Sequence, residues 1–137
     1  MADYPITASS VTYTEISSPQ TVVIGENVTE GRCIYLDSVT DTYFLADATD
    51  STKGDPKYIT LSAGVTGEWV MAISDGTYTA GTTLVQGDPI FLSKTAGAGA
   101  MAPDTDLVAT NFVTQIGFAV STTEIAIDFN NTGIEVA

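Results

Sequence analysis

The sequence predicts an all-β domain, a small antiparallel β-barrel or sandwich with an internal repeat and an extended N-terminal arm. Three observations carry this reading. Thr is very frequent and Val and Ile are abundant, and β-branched side chains fit a pleated sheet better than a helix. Twelve Gly and five Pro supply frequent turns, and no window sustains an apolar period of 3.6 residues. The third observation is a block that appears twice. Val28-Thr29-Glu30-Gly31-Arg32-Cys33-Ile34-Tyr35-Leu36-Asp37 is echoed by Leu84-Val85-Gln86-Gly87-Asp88-Pro89-Ile90-Phe91-Leu92-Ser93, 56 positions later and without a gap. The shared pattern is apolar-x-x-Gly-x-x-Ile-aromatic-Leu, then a turn and a short second run. It reads as a β-hairpin used twice, over residues 28–50 and 84–106.

Taken in order, residues 1–20 form the arm. Ser, Thr and Pro dominate, with an apolar or aromatic residue every few positions. Tyr4, Pro5, Ile6, Val11, Tyr13 and Ile16 are its candidate contacts with a neighbouring subunit or a larger surface. The alternative for this stretch is an edge strand of the barrel. Residues 21–137 form the single barrel domain. Val22-Val23-Ile24 is an apolar run ending at Gly25. Cys33-Ile34-Tyr35-Leu36 and Tyr43-Phe44-Leu45-Ala46 are the strands of the first hairpin. A polar loop, 47–57, leads to strands at 58–61 and 68–73. Asp75-Gly76 signals a tight turn, and Thr77-Tyr78-Thr79 adds a short strand. Ile90-Phe91-Leu92 opens the second hairpin, whose loop is the small-residue stretch 95–100. Strands at 112–120 and 124–129 close the domain. In the last of these Ile125, Ile127 and Phe129 alternate with Glu124, Ala126 and Asp128, so one face is buried and the other wet.

Charge is sparse and one-sided. Seventeen acids against four bases give a net charge of −13, and the bases are Arg32, Lys53, Lys57 and Lys94. Such a surface repels phosphate backbones and anionic membranes, so neither direct nucleic-acid binding nor membrane binding is expected. It also keeps a protein soluble at high concentration. The first residues show no signal peptide, and no apolar stretch approaches the length of a membrane helix. Synthesis in a cytoplasm is the expectation.

Catalytic chemistry finds little to work with. The chain has no His, which removes Ser-His-Asp, Cys-His and His-metal sites together. The single cysteine, Cys33, reads as a small half-buried thiol at a strand edge. Asp37, Asp41, Asp47, Asp50 and Asp55 cluster, but without the spacing of an EF-hand, and read as solvated turns, with a structural cation as the alternative. No pair of carboxylates is marked out for glycosidic chemistry. Gly97-Ala98-Gly99 is not followed by a helix and supplies no phosphate cradle. Trp69 reads as a core or barrel-mouth residue, with a sugar-stacking platform as the alternative. No enzyme activity, cofactor or metal is expected.

The string Gly31-x-x-Ile34-Tyr35-Leu36-Asp37, then Tyr43-Phe44-Leu45-Ala46-Asp47-Ala48, resembles head decoration (cement) proteins of tailed bacteriophages of β-barrel type. Leu84-x-x-Gly87-x-x-Ile90-Phe91-Leu92-Ser93 with Thr95-Ala96-Gly97, and Ile116-Gly117-Phe118-Ala119-Val120-Ser121, extend the resemblance to residues 25–130. Similar strings occur in phage head-fibre and tail-associated domains. The Asp-rich first turn and the long arm depart from the pattern. The resemblance implies a virion protein made in the host bacterial cytoplasm. It would sit on the capsid exterior as a homotrimer and clamp the major capsid protein against internal pressure. A receptor- or glycan-binding fibre or tail module is the alternative.

Overall fold

The computed structural model describes residues 3–13, 19–103, 107–109 and 111–136. Within them the chain is all-β. Eleven strands run in order: β1 (Val11–Tyr13), β2 (Gln20–Val23), β3 (Cys33–Asp37), β4 (Thr42–Leu45), β5 (Tyr58–Thr60), β6 (Trp69–Ile73), β7 (Gly76–Ala80), β8 (Pro89–Leu92), β9 (Met101–Ala102), β10 (Phe112–Ala119) and β11 (Glu124–Glu135). The helical content among these residues is one 3-10 turn, Ala8–Ser10. β-Branched composition and closely spaced turns produce this outcome, because neither leaves a window long enough for a stable helix.

The strands form two antiparallel sheets. One has the order β1-β7-β11-β10-β8-β9, the other β2-β6-β5-β3-β4. The five-stranded sheet curls into a half-barrel, and its two edges meet where Ile24 bridges Tyr43 in parallel. Alternation along its strands then has two destinations. Val22, Ile24, Ile34, Val70 and Ala72 point into the curl, with Val28 closing it. Cys33, Ile59 and Ile73 point the other way, against Tyr78, Ile90, Leu92, Ile116 and Ile125 of the six-stranded sheet. This second layer is the main core. Each fully buried aliphatic side chain in it contributes about 1.5–3 kcal/mol.

Both expected hairpins are antiparallel pairs. β3 and β4 place Ile34 opposite Leu45 and Tyr35 opposite Phe44. β8 and β9 place Phe91 opposite Ala102 and Leu92 opposite Met101. Carrying the first register 56 positions along would set Ile90, not Leu92, opposite Met101, so the second hairpin is slipped by two residues. A slip of two keeps each side chain on its face, so the alternation survives it.

The turn that opens each repeat occurs a third time. Gly31, Gly67 and Gly87 have φ of +80°, +89° and +91°. Each is the third residue of a four-residue turn, and a strand starts directly after it, at Cys33, Trp69 and Pro89. Positive φ at the third position is the demand of a type II turn, which Gly meets without strain. The Glu68 N–H bonds the Val65 carbonyl at 3.0 Å, and the Asp88 N–H bonds the Val85 carbonyl at 3.1 Å. In the first copy Thr60 enters instead. Its Oγ1 donates to the Thr29 carbonyl at 2.7 Å and accepts the Arg32 N–H at 3.0 Å.

Local chain covers part of two sheet edges, at β4 and at β9. The Gly25 N–H bonds the Tyr43 carbonyl at 2.8 Å, and Glu26 Oε2 accepts the Leu45 N–H at 3.0 Å, so part of the outer edge of β4 is occupied. The Tyr4 N–H likewise takes the Met101 carbonyl on β9 at 2.9 Å. Covered edges deny other chains a template for pairing.

Candidate interaction surface

The N-terminal segment lies on its own domain. Over residues 3–13 it does not stand apart as the extended arm expected of residues 1–20, and β1 is an edge strand. Asp3 accepts hydrogen bonds from Ser93 Oγ and, at 2.7 Å, from Thr95 Oγ1. Tyr4 and Ile6 pack against the main core and Val11 is buried in it. The Thr7 N–H donates to the Gly81 carbonyl at 2.7 Å. Ile6 and Val11 also overlie Gly31, where a Cβ would meet their methyls at 3.1 and 3.0 Å. Pro5 is exposed. The backbone of Tyr13 pairs with Tyr78. Ile16 lies outside the described residues. The physical reason for the docking is apolar burial: Tyr4, Ile6 and Val11 each remove apolar surface from water against the main core. An open groove of about 440 Å³ follows this seam, lined by Pro5, Thr7, Ser10, Thr79, Thr82 and Thr83 among others.

The residues that could carry chemistry are mostly internal. Cys33 is fully buried in the main core rather than half-buried at an edge, and burial pushes its thiol pKa up to about 12. A thiol held neutral in this way is a poor nucleophile. Tyr78 is also fully buried, and its hydroxyl faces Met101 Sδ at 3.4 Å. Loss of solvation raises its pKa well above the ordinary tyrosine value. Both residues act as packing groups here.

The aspartates serve their own turns. Asp47 is buried, with Oδ1 accepting the Thr49 N–H at 2.9 Å and Oδ2 accepting the Gly97 N–H at 2.7 Å. It thereby ties the loop after β4 to the small-residue loop after β8. Asp37 Oδ1 accepts the Val39 N–H at 2.9 Å, and Asp50 Oδ1 accepts the Lys53 N–H at 2.7 Å. Asp55 pairs with Lys57 at 3.0 Å. Among the described residues no group of three or more His, Cys, Asp or Glu side chains comes together as a metal site.

Trp69 corrects the sequence reading. It is not a core residue but 68% exposed, on the outer face of the curled sheet. The cause is strand parity. Val70 and Ala72 of β6 take the inside of the curl, a space filled by Val and Ile that has no room for an indole. Trp69 and Met71 therefore face out, opposite Val23 and Thr21 of β2. Ile73 has the same parity and is fully buried, because there the six-stranded sheet covers the face. The cover ends before Met71, which is 41% exposed. Val65, in the turn leading into β6, adds a further exposed apolar side chain.

A second open cavity, of about 340 Å³, is lined by Asn27, Val28, Thr29, Arg32, Leu45 and Ala98. Arg32 reaches across to the Ala98 carbonyl at 3.5 Å.

Comparison with known protein families finds no match, and comparison with curated proteins finds no relative.

Proposed function

We propose that this chain is a non-catalytic structural protein that binds the outer surface of a tailed-phage capsid and stabilises the shell. The observation that carries the reading is the division of labour between inside and outside. Cys33, Tyr78, Thr60 and Asp47 are buried and used in packing or internal hydrogen bonds. The outside offers open grooves, a one-sided charge and a bare Trp69–Met71 strip. Such a molecule works by contact. The repeated strings around Gly31 and Gly87, and the all-β fold built on them, are what the decoration proteins supply by resemblance. The major capsid protein is the partner this reading names, with three copies of the chain at local three-fold positions. Many symmetric copies reinforce a lattice through multivalency.

A fibre or tail module that binds a receptor glycan is the second reading, favoured by the exposure of Trp69, since an exposed indole is a stacking platform for sugars. Copy number in purified virus particles separates the two. A ratio to the major shell protein near one, or a simple fraction of it, is expected for decoration. A handful of copies per particle would favour the fibre or tail module, and absence from particles would refute both.

A further inference from the structure

We infer that the cavity between Asn27, Thr29, Arg32 and Ala98 is a binding site for a single carboxylate group carried on a short apolar stem. The inference goes beyond the proposed function and does not depend on it.

The cavity wall offers donors that the chain itself leaves unused. Arg32 is the only arginine, and among the described residues it forms no ion pair, although the chain has seventeen acids. Its guanidinium makes one long hydrogen bond, 3.5 Å from Nη1 to the Ala98 carbonyl. Asn27 Oδ1 accepts the Thr66 N–H at 3.1 Å, which leaves the amide NH2 to donate. The Thr29 hydroxyl has no partner among the described residues. No Asp or Glu lines the cavity. Glu26, the residue before Asn27, spends its Oε2 on the Leu45 N–H at 3.0 Å.

Arg32 is mounted firmly. Its N–H donates to Thr60 Oγ1 at 3.0 Å and its carbonyl accepts the Thr60 N–H at 2.9 Å. Its Cβ lies close over Gly99, where an added Cβ would meet it at 3.2 Å. A guanidinium on so fixed a backbone loses less freedom on binding than one on a mobile loop.

Shape and charge select the ligand. The planar fork of a guanidinium matches the two oxygens of a carboxylate or a phosphate. The net charge of −13 repels a dianion more than a monoanion, which favours the carboxylate. Val28, Leu45 and Ala98 complete the lining and suit an aliphatic stem. A small free carboxylic acid and a glutamate side chain of a partner protein share this chemistry.

Because Arg32 is the only arginine, its Nε–H signal in a 15N NMR spectrum of the full chain needs no assignment. The experiment titrates the chain at neutral pH with sodium butyrate, with a blocked peptide carrying one glutamate, with inorganic phosphate and with sodium chloride, at matched ionic strength. Butyrate and the peptide should shift the Arg32 signal and the Asn27 side-chain amide together and saturate, with Kd on the order of millimolar. The tighter of the two names the source, a free acid or a partner's side chain. Phosphate and chloride should give no saturating shift. Arg32→Lys keeps the charge without the fork and should bind at least about tenfold more weakly, read at the Asn27 amide. Asn27→Asp keeps the acceptor for the Thr66 N–H and should abolish binding. Failure of both carboxylates to saturate overturns the inference. So does phosphate binding as tightly as either, or undiminished binding by a folded Arg32→Lys variant.

Discussion

Thr60 stands inside the turn that begins at Thr29. Its hydroxyl donates to the Thr29 carbonyl at 2.7 Å and accepts the Arg32 N–H at 3.0 Å, so one side chain from β5 replaces the bond that closes the sister turns at Val65 and Val85. The Thr60 N–H also bonds the Arg32 carbonyl at 2.9 Å, and the Gly31 N–H bonds the Thr60 carbonyl at 2.7 Å. The first copy of the turn is thus stitched to the sheet rather than self-contained.

Removing that hydroxyl leaves two backbone groups without their partner at a fully buried residue. Thr60→Val keeps the volume and should lower stability by about 1–3 kcal/mol. Thr60→Ser keeps the bridge and should lose less. Equal urea midpoints for the parent protein and Thr60→Val would show that water or a direct bond fills the gap.

Alkaline unfolding should begin with Cys33. Its pKa rises from 9.0 in the open chain to about 12 in the core. The folded chain keeps the proton that the unfolded chain releases, so stability is fully present below pH 9. It falls as pH rises, by about 1.4 kcal/mol per unit, until pH approaches 12. Tyr78, also raised, adds to the loss from about pH 10 upward. Cys33→Ala should delay the onset to the tyrosine range, which urea titrations between pH 8 and 11 would resolve. Coincident profiles for the two proteins would contradict the assignment.

Two glycines separate steric from conformational demand. A Cβ at Gly117 would lie 1.9 Å from the Ala126 carbonyl oxygen of the paired strand, and backbone has nowhere to retreat. Gly117→Ala should cost about 3 kcal/mol or more. Gly87 has open space around it, and only its φ of +91° resists a side chain. Gly87→Ala should cost about 1–2 kcal/mol. Thermal melts of the two variants are expected to rank in that order.

Deletion of residues 1–13 tests the N-terminal seam. It removes the buried Val11 side chain and the anchors Asp3 and Tyr4. Stability should fall by at least about 2 kcal/mol. An unchanged melting temperature would mean that the segment contributes nothing to the isolated domain.

Local pattern along the chain was enough for the class and most of the strands. Alternation marks a strand wherever it lies, so Ile125-x-Ile127-x-Phe129 and the two Gly-x-x-Ile-aromatic-Leu strings announced β11, β3 and β8. Gly67 carries the same turn signal, but Gly64-x-x-Gly67-x-x-Val70-Met71 differs from the repeat at its key apolar positions, so only the backbone angle reveals the third copy. Tertiary structure decided the rest. A period of two says that β6 has two faces and not which is inward; the narrow interior of the curled sheet assigned Val70 and Ala72 to it and left Trp69 outside. Burial of Cys33, docking of Tyr4 and Ile6, and insertion of Thr60 into a turn 31 residues away each depend on chain brought together from far along the sequence. Local pattern carries no record of such contacts, because they arise only when the two sheets close on a shared core.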